Sequence, residues 1–166
     1  ERKYLEKTST AIQNCLANNI QPHIDFQVGI LGEDNETERI NEKSLRKIGE
    51  EARGYDRKPL VFPSLSVVYP ATAFYTKMMQ LGAPRDIYEK FTTWERKNPE
   101  YRDMIHGYFA HGNGGIPLGI MNLDKLREGE IDVKMDKLLR VKRYVDKLRS
   151  LEDVTVHDYT LPTRER

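Results

Sequence analysis

The first half of the chain alternates between helix-like and strand-like segments, and this order restricts the fold more than any other feature of the sequence. Apolar spacing predicts helices at residues 9–18, 36–53 and 73–81, and strands at residues 20–31 and 60–69. Such alternation is typical of α/β folds with parallel strands and right-handed crossovers. Because parallel sheets are buried on both faces, two strands are too few for a stable sheet, and we expect other strands to complete it.

The second half has a different character, with predicted helices and a glycine-rich loop in place of the alternation. Helices are expected at residues 85–97 and 134–151, a short helix or strand at 103–109, and a loop at 112–119. Trp94 and Tyr101 are expected to be packing residues, since no basic residues cluster around them. The basic side chains of the last helix alternate with apolar residues and are offset by acids, so they are expected to face solvent.

Composition excludes several classes of protein. The 166 residues include 27 lysines and arginines against 26 acids, a net charge of +1 that argues against a dedicated nucleic-acid or membrane-surface binder. No apolar run approaches the roughly 20 residues that cross a bilayer. The single cysteine, Cys15, excludes an internal disulfide framework or a multi-cysteine metal site, and is expected to be a small buried residue. A cytoplasmic location is expected from this cysteine usage.

Two strand ends carry the residues best suited to binding a ligand. Gly29 and Gly32 follow the first strand, where glycine lets the backbone approach a ligand without interference from a Cβ atom. Tyr69 and Pro70 follow the second, with Thr72 placed to cap the next helix. Taken separately, each segment is also compatible with an ordinary strand-to-helix turn.

Together the two segments resemble the second half of the barrel of radical S-adenosylmethionine (SAM) enzymes, particularly cobalamin-binding members and their relatives. In that family a strand ends in a Gly-apolar-x-Gly-Glu run followed by acids, and a later strand ends in a Tyr-Pro-Gly-Thr-x-aromatic-Tyr turn. The corresponding sequences here are IDFQVGILGED, residues 24–34, and YPATAFY, residues 69–75. The chain departs from the family at Leu31, where proline is common, and at Ala71, where glycine is usual.

The resemblance implies a fold and a reaction. Residues 1–82 would form the second half of a partial (β/α) barrel with parallel strands, and residues 83–166 a mainly helical C-terminal extension. The chain would be the C-terminal portion of a radical SAM enzyme, acting on a small-molecule or peptide substrate. The implied chemistry is a carbon-centred radical reaction such as methyl transfer, with cobalamin as a further cofactor in the members that use it.

The resemblance also assigns residues to the SAM pocket. The backbone at Gly29 and Ile30 would contact the SAM adenine, and Gly32 would allow the turn. Tyr69 and Pro70 would lie near the same pocket. These five residues are therefore the expected cofactor-binding set, whereas no catalytic residue is assigned.

The family also needs a four-iron four-sulfur cluster, held by three cysteines in a CxxxCxxC loop. Cys15 is alone and lies on a predicted helix, so this chain is not expected to hold the cluster or any other metal. The cluster loop and the first barrel strands would lie upstream of Glu1, in an N-terminal part that is the expected partner. Without those strands, residues 1–166 are not expected to fold alone.

A pair of histidines forms a third candidate site. His106 and His111 stand five residues apart beside the glycine-rich loop, where they can serve as metal ligands, as acid and base, or as ordinary surface residues. They do not share a helical face and lack an HExxH arrangement. Under the resemblance they would line the substrate cavity. The alternative function is a non-catalytic α/β binding or regulatory module that uses the glycine-rich loop, residues 112–119, as its contact surface.

Overall fold

The computed structural model describes residues 2–109, 115–157 and 159, and over these residues the chain is an α/β protein. Seven helices and a three-stranded parallel sheet are present in the described part of the chain. No helix among these residues is long and apolar enough to cross a membrane. The helices are α1 Arg2–Ala17, α2 Asn35–Ala52, α3 Ala73–Gln80, α4 Ile87–Lys97, α5 Pro99–Tyr108, α6 Leu123–Arg127 and α7 Met135–Arg149; the strands are β1 His23–Val28, β2 Leu60–Leu65 and β3 Thr155–Val156.

The chain divides into two compact units, each assembled from separate stretches of sequence. The described residues of the first unit fall within Glu1–Phe26, Asp34–Pro63 and Tyr144–His157, and those of the second within Gln27–Glu33, Ser64–Arg143 and Asp158–Arg166. The division of the chain at residue 82 stays a prediction, as does the partial barrel.

β2 lies between β1 and β3, and it contains a proline that a central strand rarely accepts. The carbonyl of Val61 accepts a hydrogen bond from the N–H of His157, the residue after β3. The backbone N–H and C=O groups of the odd-numbered residues of β2 therefore point towards β3. Pro63 therefore also faces that side. β3 is only two residues long, and it ends before it comes opposite Pro63. Its residues Thr155 and Val156 pair with Leu60 and Val61. The proline thus interrupts no hydrogen bond of the parallel ladder.

In the first unit, α1 and α2 pack together through a small apolar cluster. Its buried members are Ile12, Leu16 and Ala52, with Ile24 and Ile48 packed against them. α2 begins where the Asp34 side chain accepts a hydrogen bond from the Thr37 N–H, as an N-cap residue does. Cys15 is half-buried on α1, so the expectation that it is a buried packing residue is wrong.

The second unit is built around α3 to α6, the first part of α7 up to Arg143, and the strand ends. Phe91 and Ile105, on α4 and α5, are almost fully buried. The stretch predicted as helix or strand near residue 103 is helical, and its helix begins at Pro99, because proline suits the first helical turn.

Several boundaries differ from the sequence predictions. The second strand ends at Leu65 instead of residue 69, and Val68 instead forms an isolated antiparallel bridge with Ile116. Part of the predicted glycine-rich loop, Leu118–Ile120, is a short 3₁₀ helix. α1 extends back to Arg2, and both α6 and β3 lack a counterpart in the predictions.

Candidate ligand-binding site

The turn that follows β1 is closed by the carboxylate of its own last residue, Glu33. Its Oε2 accepts hydrogen bonds from the backbone N–H groups of Gly29, at 2.6 Å, and Ile30, at 3.2 Å. The Glu33 N–H in turn donates to the Ile30 carbonyl at 3.0 Å. Gly29 and Gly32 have φ angles of +69° and +86°, which explains glycine at both positions. We call residues 29–33 the first turn.

A second glycine-bearing segment packs directly against the first turn. Gly119 lies so close to Gly29 that a Cβ atom at position 119 would overlap the Gly29 carbonyl oxygen. A Cβ atom added to Gly29 itself would lie 2.7 Å from the Leu65 Cδ1 atom. The first turn is thus fixed by backbone-to-backbone packing as well as by the Glu33 carboxylate.

A small cavity of about 120 Å³ opens beside this contact. Its lining comes entirely from the second unit: Gly29, Ile30, Gly32 and Glu33 of the first turn, Gly119 and Ile120 of the 3₁₀ helix, and Lys137, Arg140 and Val141 of α7. Ligand pockets of small-molecule size usually enclose about 300–1,000 Å³, so this cavity holds one chemical group of a ligand and not a whole ligand.

Two cationic side chains face the cavity from α7. The Lys137 ammonium donates to the Gly119 carbonyl oxygen at 3.4 Å, and the Arg140 guanidinium donates to the Glu33 carbonyl oxygen at 3.3 Å. Both hydrogen bonds are longer than the usual range for N–H···O bonds. Among the described residues of the lining, Glu33 is the one acid against two cations, so these residues carry a positive formal charge.

The second predicted turn, residues 69–72, has a different construction. Ala71 has a φ of +66°, in the left-handed region where glycine is favoured. The Thr72 hydroxyl accepts a hydrogen bond from the Tyr75 N–H at 3.1 Å, confirming Thr72 as the cap of α3. We call residues 69–72 the second turn.

Tyrosines surround the second turn. Tyr88 donates a hydrogen bond from its hydroxyl to the Val68 carbonyl at 2.8 Å, and its ring centroid lies 6.0 Å from that of Tyr75. Burial raises the pKa of Tyr88 to about 12, with Tyr75 and Tyr69 contributing to the rise. The hydroxyl is therefore protonated at neutral pH and acts as a hydrogen-bond donor that anchors the backbone before the turn.

The segment Gly115 to Gly119 connects the two turns within the second unit. Gly119 packs on the first turn, and at its other end a Cβ atom on Gly115 would lie 2.6 Å from the Val67 Cγ2 atom and 3.2 Å from the Tyr69 ring. Three segments singled out in the sequence are thus brought to one region of this unit. The described lining of the 120 Å³ cavity nevertheless includes neither Tyr69 nor Pro70.

The remaining predicted site residues are placed elsewhere or lie outside the description. His106 belongs to α5, but its side chain and the whole of His111 lie outside the described residues. Lys137 and Arg140 line the cavity and are not predicted as site residues, and Gly119 is predicted only as part of the contact loop of the alternative function. Both the basic helix and the glycine-rich segment are recognisable in the sequence, but no local pattern connects them with the first turn.

A ligand group in the cavity can contact the cationic side chains of α7 and the exposed side chain of Ile30, but not the backbone N–H groups of the first turn. The N–H groups of Gly29 and Ile30 are already engaged by Glu33, whereas the Ile30 side chain is 37% exposed. No group of three or more metal-ligating side chains occurs among the described residues, and Cys15 is the only cysteine of the sequence. The described residues do not fit an iron–sulfur cluster, and the cavity has room for one part of a larger ligand.

Neither a scan of protein-family models nor searches of curated proteins and solved structures found a match to this chain.

Proposed function

We propose that this chain is the C-terminal portion of a radical SAM enzyme and that the first turn forms one wall of its SAM pocket. The observation that carries the proposal is the convergence of the first turn and the segment Gly115 to Gly119 on a small cavity at the end of β1. In open α/β sheets and in barrels, ligands bind at the carboxyl ends of parallel strands. The cavity lies at such an end.

The resemblance assigns the adenine contact to the backbone of Gly29 and Ile30, but Glu33 engages both N–H groups, so the side chain of Ile30 is the group proposed to contact the ring. It is exposed on the first turn, while Glu33 holds the backbone on which it stands. An exposed aliphatic side chain on a rigid turn offers an apolar surface to a planar ring and excludes water from one of its faces. In this family SAM and the cluster supply the radical chemistry, and the residues of this chain bind and orient.

The second turn supports the proposal through its backbone. The resemblance places a usual glycine at position 71, and Ala71 has the positive φ that such a glycine adopts. The replacement of glycine by alanine therefore leaves the shape of the turn intact. Tyr69 and Pro70 remain proposed residues of the pocket, although they do not line the cavity beside the first turn.

The finer parts of the proposal rest on the resemblance alone. These are methyl transfer as the reaction, cobalamin as a second cofactor, the cluster as a group held by an N-terminal part of the enzyme, and His106 and His111 as residues of the substrate cavity. The proposed cytoplasmic location rests on the single cysteine.

The decisive experiment starts from the coding sequence upstream of Glu1. It should encode three cysteines in CxxxCxxC spacing, and the complete polypeptide, reconstituted with iron and sulfide, should turn brown and cleave SAM under reductant. A complete polypeptide that lacks the three cysteines and never develops this absorption overturns the proposal. It would favour the alternative, a non-catalytic α/β binding module.

A pair of substitutions then tests the role of the first turn. In the complete polypeptide, Ile30→Glu should raise the KM for SAM about tenfold, equivalent to about 1.4 kcal/mol, because a carboxylate replaces the apolar surface. Ile40→Glu is the matched control, since Ile40 is 51% exposed on α2 and belongs to the first unit. Equal KM values for the two variants would remove Ile30 from the SAM pocket.

A further inference from the structure

Two larger cavities lie side by side on another part of the second unit. One is a shallow, open groove of about 520 Å³ and the other a cavity of about 330 Å³, and both are lined by Trp94 and Lys97 of α4. Volumes of this size lie within the usual range of small-molecule sites. Neither cavity is lined by a residue of the first or second turn, so what they bind is independent of the proposed SAM pocket.

Trp94 is held in place by two buried aromatic rings. Its ring stacks on that of Phe91 with centroids 5.9 Å apart, and it meets the ring of Tyr101 at 5.0 Å and 67°. Phe91 and Tyr101 are 1% and 4% exposed, respectively. The sequence prediction of packing residues is confirmed for Tyr101, whereas Trp94 packs against its neighbours but is only half-buried. Its remaining surface faces the two cavities.

Apolar side chains surround Trp94 in the smaller cavity. Val133 and Met135 line it, and Met135 is 40% exposed although it is a large apolar residue. Exposed methionine next to an aromatic ring is a common feature of adaptable binding surfaces, because the thioether packs well against aromatic groups. This lining suits a flat, apolar ring.

One cation, Lys97, lies beside Trp94 in both cavities, where a negative group of a ligand can reach it. Lys97 is three residues after Trp94, so both side chains lie on the same face of α4. Lys97 is the only charged residue that lines both cavities among the described residues, and it forms no ion pair there, whereas Lys90 is paired with Asp86 at 3.4 Å. Acidic residues also line each cavity individually: Asp86 and Glu89 the larger, and Glu100 the smaller.

We propose that this surface, formed by Trp94, Lys97, Val133 and Met135, is a binding site for a small molecule with a planar apolar ring and an anionic group. The ring packs on Trp94 and Met135, and the carboxylate or other anion pairs with Lys97.

Trp94 is the only tryptophan of the chain, so its fluorescence reports on this site alone. Titration of the complete polypeptide with 3-phenylpropionate should give saturable heat in calorimetry, with a Kd on the order of 1 mM for so small a ligand. The 166-residue chain, once its cooperative unfolding is verified, should show a saturable change in the Trp94 emission. The amine of the same shape, 3-phenylpropylamine, should bind about tenfold more weakly. A linear, unsaturable response, or equal binding of acid and amine, would overturn the proposal.

Substitutions at neighbouring cations provide the matched control. Lys97→Gln should weaken binding of 3-phenylpropionate about fivefold, the upper end of what one exposed ion pair contributes. Arg96→Gln removes the same charge one residue away, outside both linings, and should leave the Kd unchanged. Calorimetry on the complete polypeptide makes the same comparison without the tryptophan. Equal Kd values for the two variants would contradict the site, whether or not SAM binds to the first turn.

Discussion

The first and second turns share several local features but are stabilised in different ways. Each follows a stretch of extended chain, leads towards a helix and contains a residue with positive φ. In the first turn, Gly29 is enclosed by Gly119 and Leu65 and lies beside a cavity. In the second, Ala71 occupies the left-handed position and the Thr72 side chain fixes the following helix.

The difference shows why glycine is required at one turn and dispensable at the other. A positive φ alone costs a non-glycine residue about 1–2 kcal/mol, which a well-packed protein can tolerate. A Cβ atom that has no room costs more, because the interior is close-packed and neighbouring atoms must move. Both constraints apply at Gly29, whereas Ala71 shows that a side chain is accommodated at the second turn.

The largest effect is expected from Gly119→Ala, which tests backbone packing against the first turn. The added Cβ atom would overlap the Gly29 carbonyl oxygen, and a main-chain atom cannot rotate away. We expect the free energy of unfolding to fall by about 3 kcal/mol or more, near the upper end of the cost of overpacking. Thermal denaturation should register a fall in Tm of at least about 6 °C for a chain of this size.

Gly115→Ala is the matched control at the other end of the same segment. Its Cβ atom would lie 2.6 Å from the Val67 Cγ2 atom and 2.7 Å from the Val67 Cβ atom, which is a smaller overlap than the one with the Gly29 carbonyl oxygen. A loss of about 1–2 kcal/mol is therefore expected. If the two variants melt at the same temperature, the first turn is no more tightly packed than the second, and the contrast between them fails.

The sequence predicted the parts of the fold that depend on local pattern. The order of helices and strands through residue 82 is confirmed, as are the cap at Thr72 and the helix end near Asn19, which has a φ of +56°. β3 was missed because two residues carry no periodicity, and α6 because five residues barely exceed one helical turn.

The composition of the candidate site was harder to predict than the first turn itself. Gly29 and Gly32 stand out because a strand precedes them and acids follow, which is a local signal. Lys137 and Arg140 reach the same cavity only through the packing of α7, about a hundred residues later in the chain. The close approach of Gly119 likewise depends on tertiary structure, because glycine in a loop has many local explanations.

Smaller losses of stability are expected from alanine substitutions at the two glycines of the first turn. Comparing them separates the cost of a positive φ from the cost of steric overlap. Gly29→Ala combines a positive φ with a Cβ atom 2.7 Å from Leu65 Cδ1, so we expect a loss of about 2–3 kcal/mol. Gly32→Ala has a positive φ but no atom within 4 Å of the added Cβ, and it should lose only about 1 kcal/mol. Denaturant unfolding of the two variants measures the difference.

The outcome at Gly29 also depends on a flexible neighbour. Leu65 contacts the added atom through the end of its side chain, so Leu65→Val combined with Gly29→Ala should recover part of the loss beyond additivity. Equal losses for Gly29→Ala and Gly32→Ala would mean that φ alone governs both positions. In that case the space around Gly29 would not distinguish the two turns.

The smallest effect, and the only stabilising one, is expected from Ala71→Gly in the second turn. Glycine removes the strain of an alanine at a φ of +66°, about 1–2 kcal/mol, but loses about 0.4–1 kcal/mol through the greater freedom of the unfolded chain. The net gain should be about 0.5–1 kcal/mol, visible as a higher denaturation midpoint with an unchanged slope. Thr72→Ala, which removes the cap of α3, should instead lose about 1 kcal/mol and serves as the control at the adjacent residue. If Ala71→Gly is destabilised, contacts of the alanine methyl group contribute more to the free energy of unfolding than the backbone strain removes. The second turn would then depend on packing at its left-handed residue, as the first turn does.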